Sequence, residues 1–244
     1  LYLYYAIYSL ICLYYMLKFA PLKKVLSQSK GFLSQHSSLY KMILPVFILS
    51  FIEAPIFWYL QVLLTKDATV EAVAGMTVMK QLRNFAVLIP TYFFTTFLAF
   101  AGRMNAEKKY GEYFNKFDRF LRLFTLAGIG MAVILSACGK GILWLYSPEY
   151  VSDWLGLCIS NICIPLAMMI TLVKQELLLQ EHQRYMMVVS IVTAFSWIGA
   201  YCALQSFGME PLVGFFIGET ISLVISFSLL YLLYNKDKRI LLNK

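Results

Sequence analysis

Charged side chains are scarce in this chain: Asp, Glu, Lys and Arg make up 14% of its 244 residues, where a water-soluble domain carries about 25%. With 60% hydrophobic residues and a mean hydropathy of +0.69, there is too little polar surface to cover a globule in water. Histidine is rarer still. His36 and His182 stand alone in polar connections, and no Cys-x-x-Cys or Cys/His cluster occurs, so the ligand supply for a zinc or iron–sulfur centre is missing. The five cysteines (Cys12, Cys138, Cys158, Cys163 and Cys202) lie in or at the ends of apolar runs, where a thiol packs as a small hydrophobe. No long polar segment separates the apolar ones, so a soluble domain is not expected. The opening residues, LYLYYAIYSLICLYYML, have no basic stretch before them and no small-residue cleavage site after them. That predicts the absence of a signal peptide and a chain that starts inside a larger protein.

What is present is a series of apolar runs long enough to cross a bilayer. Seven spans fit, at roughly 1–17, 43–64, 71–101, 120–138, 153–177, 185–206 and 211–234. The expected fold is all-α, a polytopic transmembrane helix bundle. Residues 1–42 would supply one helix and a connection whose Leu/Phe spacing suits an amphipathic surface helix. Residues 43–244 would form a six-helix bundle with a polar tail. Sixteen of the 21 basic residues fall on one side of this topology, in 18–42, 103–122, at Arg184 and in the tail, against Lys66 and Lys140 on the other. The basic side is expected to be cytoplasmic. This bias and anionic headgroups account for the net charge of +8 without nucleic acid.

Three or more residues in from the span ends, five charges remain: Glu53, Lys80, Arg83, Lys174 and Glu219. Each costs about 2.5–3.5 kcal/mol at a helix centre, so such residues turn toward a bundle interior or an aqueous cavity. On a helix of about 100° per residue, Thr77, Asn84, Thr91 and Thr95 lie within about 60° of Lys80 on one side, with Arg83 about 60° to the other. That polar stripe predicts a cavity-lining face for Lys80, Arg83, Asn84 and Thr77. Pro90 predicts a bend in the same helix. Counting back through the turn near 67–68 puts Glu53 at a depth between the two cations. One cation is then expected to pair with Glu53 and the other to meet an anionic ligand, although a purely structural ion pair also fits. Lys174 is placed near the end of its helix, facing the cavity or the headgroups. Glu219 follows Gly214 and Gly218, a small pair that permits close helix approach, and is either a protonatable coupling residue or a hydrogen-bonded interface residue.

Four stretches resemble the C-terminal half of bacterial polysaccharide (O-antigen type) flippases, of the multidrug/oligosaccharidyl-lipid/polysaccharide exporter superfamily. They are YKMILPVFILSFIEAPIFWYLQVLL, VEAVAGMTVMKQLRNFAVLIP, AEKKYGEYFNKFDRFLRLFTLAGIGMAVIL and ILWLYSPEYVSDWLGLCISNICIPLAMMITLVKQELLLQEHQRYMMVVSIV, and the likeness covers most of residues 41–235. Two positions depart from the family pattern: Ser147 stands where a glycine is usual, and FLAFAGRM lacks a proline near the helix end. The resemblance implies a transporter of two facing bundles that flips a polyprenyl-pyrophosphate-linked oligosaccharide across the inner (plasma) membrane by alternating access. Its partners would be that lipid-linked oligosaccharide, membrane lipids and the N-terminal half of the same transporter. It implies no cofactor beyond a coupling ion, H+ or Na+. Lys80 and Arg83 match its cavity-facing stripe.

Two rivals differ in what they require. A cation-coupled multidrug antiporter needs acidic groups in the cavity, and the third span has two bases and no acid. A membrane-embedded sugar polymerase or ligase needs a large outer loop with acid/base pairs, and TKDATVEA, GKGILWLYSPEY and FGMEP are short. The chain is therefore expected not to be an enzyme.

Overall fold

The computed structural model describes residues 55–180 and 182–242. The first expected span, the connection 18–42 and Glu53 lie outside the described residues. All the regular structure in the described residues is helical. The helices are α1 (55–67), α2 (Val70–Ala106), α3 (Tyr110–Ala137), the short α4 (Gly139–Tyr146), a 3-10 segment (Pro148–Asp153), α5 (Trp154–Leu179), α6 (Gln183–Ser206) and α7 (Pro211–Leu242). Four helical segments are long and apolar enough to cross a membrane: Tyr110–Ala137, Pro148–Leu179, Gln183–Ser206 and Pro211–Leu242. Helix α2, with 37 residues, rises about 55 Å, well beyond an apolar core of about 30 Å. Its backbone stays helical through Pro90.

Two helices run further than hydropathy alone predicts. Helix α3 begins at Tyr110 rather than near 120 because Tyr113, Phe114, Phe117 and Phe124 form one buried helical stripe across the boundary. Helix α7 continues past 234 to Leu242, held by polar contacts at its end. There Tyr234 Oη donates to Asp118 Oδ1 (2.7 Å), Lys238 pairs with Asp118, and His182 Nε2 lies 3.0 Å from Asp237 Oδ2. At the opposite end, Tyr201 Oη donates to Asp67 Oδ2 (2.9 Å) and Trp154 Nε1 donates to the Ser136 carbonyl (3.1 Å). Each end of the bundle is thus fastened by side chains from different helices.

Helix α5 is central, packing on α2, α3 and α7. It carries Pro165 in mid-helix, and α3 approaches there through Gly128, where a Cβ would sit 2.9 Å from Pro165 Cα and from Met168 Sδ. The α6–α7 turn closes with Gly208 at φ 72°. Met209 N–H donates to the Leu204 carbonyl and Gly208 N–H to the Gln205 carbonyl, the hydrogen-bond pattern that satisfies a helix end and calls for glycine. The outer side of α3 is apolar and open: Leu123, Leu126, Ile129, Val133 and Ile134 are 47–69% exposed. Such a continuous apolar ridge belongs against hydrocarbon, not water. The fold is a membrane-spanning helix bundle.

Candidate functional site

Helix α2 buries one arc of its circumference. Met76, Met79, Ala86, Phe94, Phe97 and Met104 are all buried; projected at about 100° per residue, they fall in an arc of about 80° centred near Arg83. Arg83 (7% exposed) lies inside this arc, and Lys80 (9%), about 40° beyond its edge, is buried as well. Thr77 and Asn84, about 40–60° beyond Lys80, are exposed, and Thr91 is intermediate. The stripe expected from sequence is therefore divided. The cations turn into the bundle with the apolar residues, while Thr77 and Asn84 stay on its outside, where Thr77 Oγ1 donates to its own helix at the Val73 carbonyl (3.0 Å).

What the two cations meet is Glu219. It is 5% exposed and lies eight residues into α7, about 12 Å from its start. It belongs to a buried helical row with Leu212, Phe215, Phe216, Ser222 and Ser226. Gly218 brings α7 against α6: a Cβ there would sit 3.2 Å from the Tyr201 backbone nitrogen. Arg83 Nη1 donates to Glu219 Oε2 (2.7 Å) and Nη2 to Oε1 (2.8 Å), a two-pronged arrangement that fixes both groups. Lys80 Nζ lies 3.7 Å from the same Oε1. Glu53, the partner expected from sequence, is outside the described residues; the carboxylate observed on Arg83 is that of Glu219.

Lys80 is surrounded chiefly by rings. Its ammonium sits 3.8 Å from the centroid of Phe57, 4.6 Å from that of Trp197 and 5.0 Å from that of Phe215. Ring faces attract a cation by about 0.5–2 kcal/mol each. Trp197 is held in place by its own Nε1–H, which donates to the Phe215 carbonyl (3.2 Å). Among the described residues two cations share one carboxylate and no second carboxylate reaches Lys80, so the described part of the group carries one formal positive charge in excess.

Lys174 lies on a separate feature. A cavity of about 250 Å³ opens between α1, α5, α6 and α7, lined by Lys174, Ser190, Thr193, Ser226, Phe57 and Trp197 among others. Lys174 Nζ donates to Ser190 Oγ at 3.4 Å. A second concavity, about 380 Å³, lies along Glu112, Asn115, Lys116, Arg119 and Arg122 of α3. It converts the basic loop expected near 103–122 into a basic helix face.

Sequence reading passed over several of these partners. Phe57, Trp197 and Phe215 carry no polar signal in an apolar run. The spacing of Glu219, Ser222 and Ser226, and that of Ser190, Thr193 and Trp197, is a helical polar row that was legible. Glu176, only 1% exposed, was not singled out from sequence. The described cysteines Cys138, Cys158, Cys163 and Cys202 are free thiols, and no cluster of three or more potential metal ligands occurs among the described residues.

Fold and site together define a membrane-embedded helix bundle with an internal charge group in which, among the described residues, two cations meet one carboxylate. No protein-family model, curated protein or solved structure matches this chain.

Proposed function

We propose that this chain is part of a membrane transporter that flips a polyprenyl-pyrophosphate-linked oligosaccharide across the inner membrane by alternating access. The observation that carries the reading is the excess cation: Lys80 is buried, shares Glu219 with Arg83, and is otherwise held by aromatic faces. A cation for which the described residues supply only a shared carboxylate is costly inside an apolar bundle unless something anionic meets it. A pyrophosphate is such a group. The two cations then have different roles: Arg83 and Glu219 form the fixed frame, and Lys80 is the charge offered to the ligand. Thr77 and Asn84, on the outside of this bundle, would contact the headgroup from the passage shared with the N-terminal half.

The basic end, with Lys116, Arg119, Arg122 and the α7 tail, is assigned to the cytoplasmic face, where anionic lipids attract it. The coupling ion is H+ or Na+, with Glu53 and Glu219 as the carboxylates to examine. A multidrug antiporter, which carries cationic compounds, is disfavoured by the excess positive charge.

The test is transport by the full-length protein in proteoliposomes. A fluorescent polyprenyl-pyrophosphate oligosaccharide should cross at a rate well above that of protein-free vesicles, while a cationic dye should not be moved against its gradient. Dye transport without lipid flipping would overturn the assignment.

A further inference from the structure

Helix α3 turns one face away from the other described helices. Projected at about 100° per residue from Asn115, its buried Tyr113, Phe117 and Phe124 fall at about 160–200°. On the opposite side Arg119 and Arg122, both exposed, lie at about 40° and −20°. Leu126, Ile129 and Val133, 47–69% exposed, continue in the same sector, at about 20°, −40° and 0°. The polarity of this face therefore changes along the helix axis and not around it. Toward Tyr110 it forms the concavity of about 380 Å³ lined by Glu112, Asn115, Lys116, Arg119 and Arg122, three cations to one acid. Toward Ala137 it is the apolar ridge. Asp118, about 40° from Arg122 on the same helix, is engaged by Tyr234 and Lys238 on α7.

Lengths set the scale of an occupant. From Leu123 to Val133 the helix rises about 15 Å, half of an apolar core of about 30 Å, so the ridge matches the depth of one leaflet. Arg119 and Arg122 stand at the headgroup end of it, about 4.5 Å apart along the axis. Two guanidinium forks at that spacing suit a phosphate, which each can meet through paired N–H bonds. A soluble anion or an acidic peptide would use this basic end alone. A phospholipid supplies the anion and the hydrocarbon from one molecule. Among phospholipids, a zwitterionic one would bring its ammonium against three cations. An anionic one with a polyol headgroup avoids that repulsion and offers hydroxyls to Glu112 and Asn115.

We propose that this face of α3 holds one anionic phospholipid from the leaflet on the basic side of the bundle. Its phosphate sits on Arg119 and Arg122, and one acyl chain runs along Leu126, Ile129 and Val133. The inference goes beyond the flippase reading and is independent of it: this lipid is bound on the outside of the bundle, is not the transported one, and holds whichever ligand Lys80 meets. It also differs from the general attraction of basic segments to anionic headgroups, which is spread over the whole end of the bundle and singles out no pair of residues.

The experiment extracts the full-length protein from vesicles of equal parts phosphatidylglycerol and phosphatidylethanolamine with the same acyl chains, and reads retained lipid by native mass spectrometry. The wild type should keep one phosphatidylglycerol, preferred over phosphatidylethanolamine about tenfold, equivalent to about 1.4 kcal/mol. Arg119→Gln with Arg122→Gln should lower the preference to about twofold or less. Lys236→Gln with Arg239→Gln, which removes the same charge from exposed positions of α7, should leave it at the wild-type value. In the wild type, a short-chain phosphatidylglycerol should be retained poorly, and excess glycerol phosphate should not displace the long-chain lipid. Those two measurements decide the matter if the arginine variant does not assemble. Equal losses in the two double variants, displacement by glycerol phosphate, or equal retention of both lipids by the wild type would each overturn the site. A wild-type dimer that keeps no lipid and that the arginine variant converts to monomers would assign the face to a second copy of the chain, and would overturn it as well.

Discussion

Two carboxylates are buried among the described residues, Glu219 on α7 and Glu176 on α5, and their surroundings differ in kind. Glu219 (5% exposed) receives two hydrogen bonds from Arg83 and has Lys80 alongside. Glu176 (1% exposed) accepts one long bond on Oε1 from Gln180 Nε2, at 3.3 Å on its own helix. Its Oε2 has no hydrogen-bond partner among the described residues. Equal burial thus hides opposite designs. Among the described residues, the cations around Glu219 outnumber the acid, while around Glu176 packing has closed over a carboxylate that makes no ion pair. A charge in the first place is fixed by its partners, and a change there propagates to α2 and α7 together. At the second place the helix is held by its apolar contacts.

The largest test of this contrast is Arg83→Met. The change removes both short hydrogen bonds on Glu219 and leaves it only Lys80 at 3.7 Å; breaking a buried ion pair costs about 3–5 kcal/mol, read as lower thermal stability of the purified protein in detergent. Adding both Lys80→Met and Glu219→Leu to the same chain should recover most of that loss, because replacing all three charged partners with apolar groups removes every unmet charge. If the triple variant is no better than the single, the charge group is not the frame of the site.

Next in size is Gly128→Ala. A Cβ at that position meets Pro165 Cα and Met168 Sδ at 2.9 Å, so α3 must move off α5, the helix that carries Glu176. Overpacking of this kind costs about 1–3 kcal/mol. Gly130, where a Cβ meets nothing within 4 Å, should accept alanine with a gain of up to about 1 kcal/mol. Matching melting temperatures for the two variants would remove the argument that packing holds the α5 region.

The smallest effect is expected at Glu176→Gln. The amide oxygen keeps the bond from Gln180 and its nitrogen adds a donor, so stability should change by less than about 1 kcal/mol. A loss comparable to that of Arg83→Met would show that Glu176 has an ionic partner after all, and the contrast with Glu219 would collapse.

The helices were largely legible in sequence because apolar runs and their bounding turns are local signals. The 183–206 and 211–242 helices follow from them within a few residues at their starts, and Pro211 and Gly208 mark that turn. The early start of α3 was not read, although the aromatics at 113, 114, 117 and 124 carry the helical period. The charged residues of α2 were also legible as inward-turning, since only a protein or water environment tolerates them in a bilayer. Their partner was not. Periodicity places Lys80, Arg83, Thr77 and Asn84 within one broad sector, but the boundary between buried and exposed falls between Lys80 and Asn84 and depends on how α2 is rotated against α5 and α7. Pairing across 136 residues is a tertiary fact, and so is the ring of aromatic faces around Lys80.

The account turns on the excess charge of Lys80, and the measurement that reaches it most directly is lipid flipping by Lys80→Met beside its melting temperature. Loss of an unneeded buried cation should leave the melting temperature unchanged or raise it, because Arg83 still balances Glu219. Flipping of the pyrophosphate-linked oligosaccharide should fall by at least about tenfold, equivalent to about 1.4 kcal/mol of the interaction with the anion. A wild-type flipping rate in a fully folded Lys80→Met protein would contradict the account.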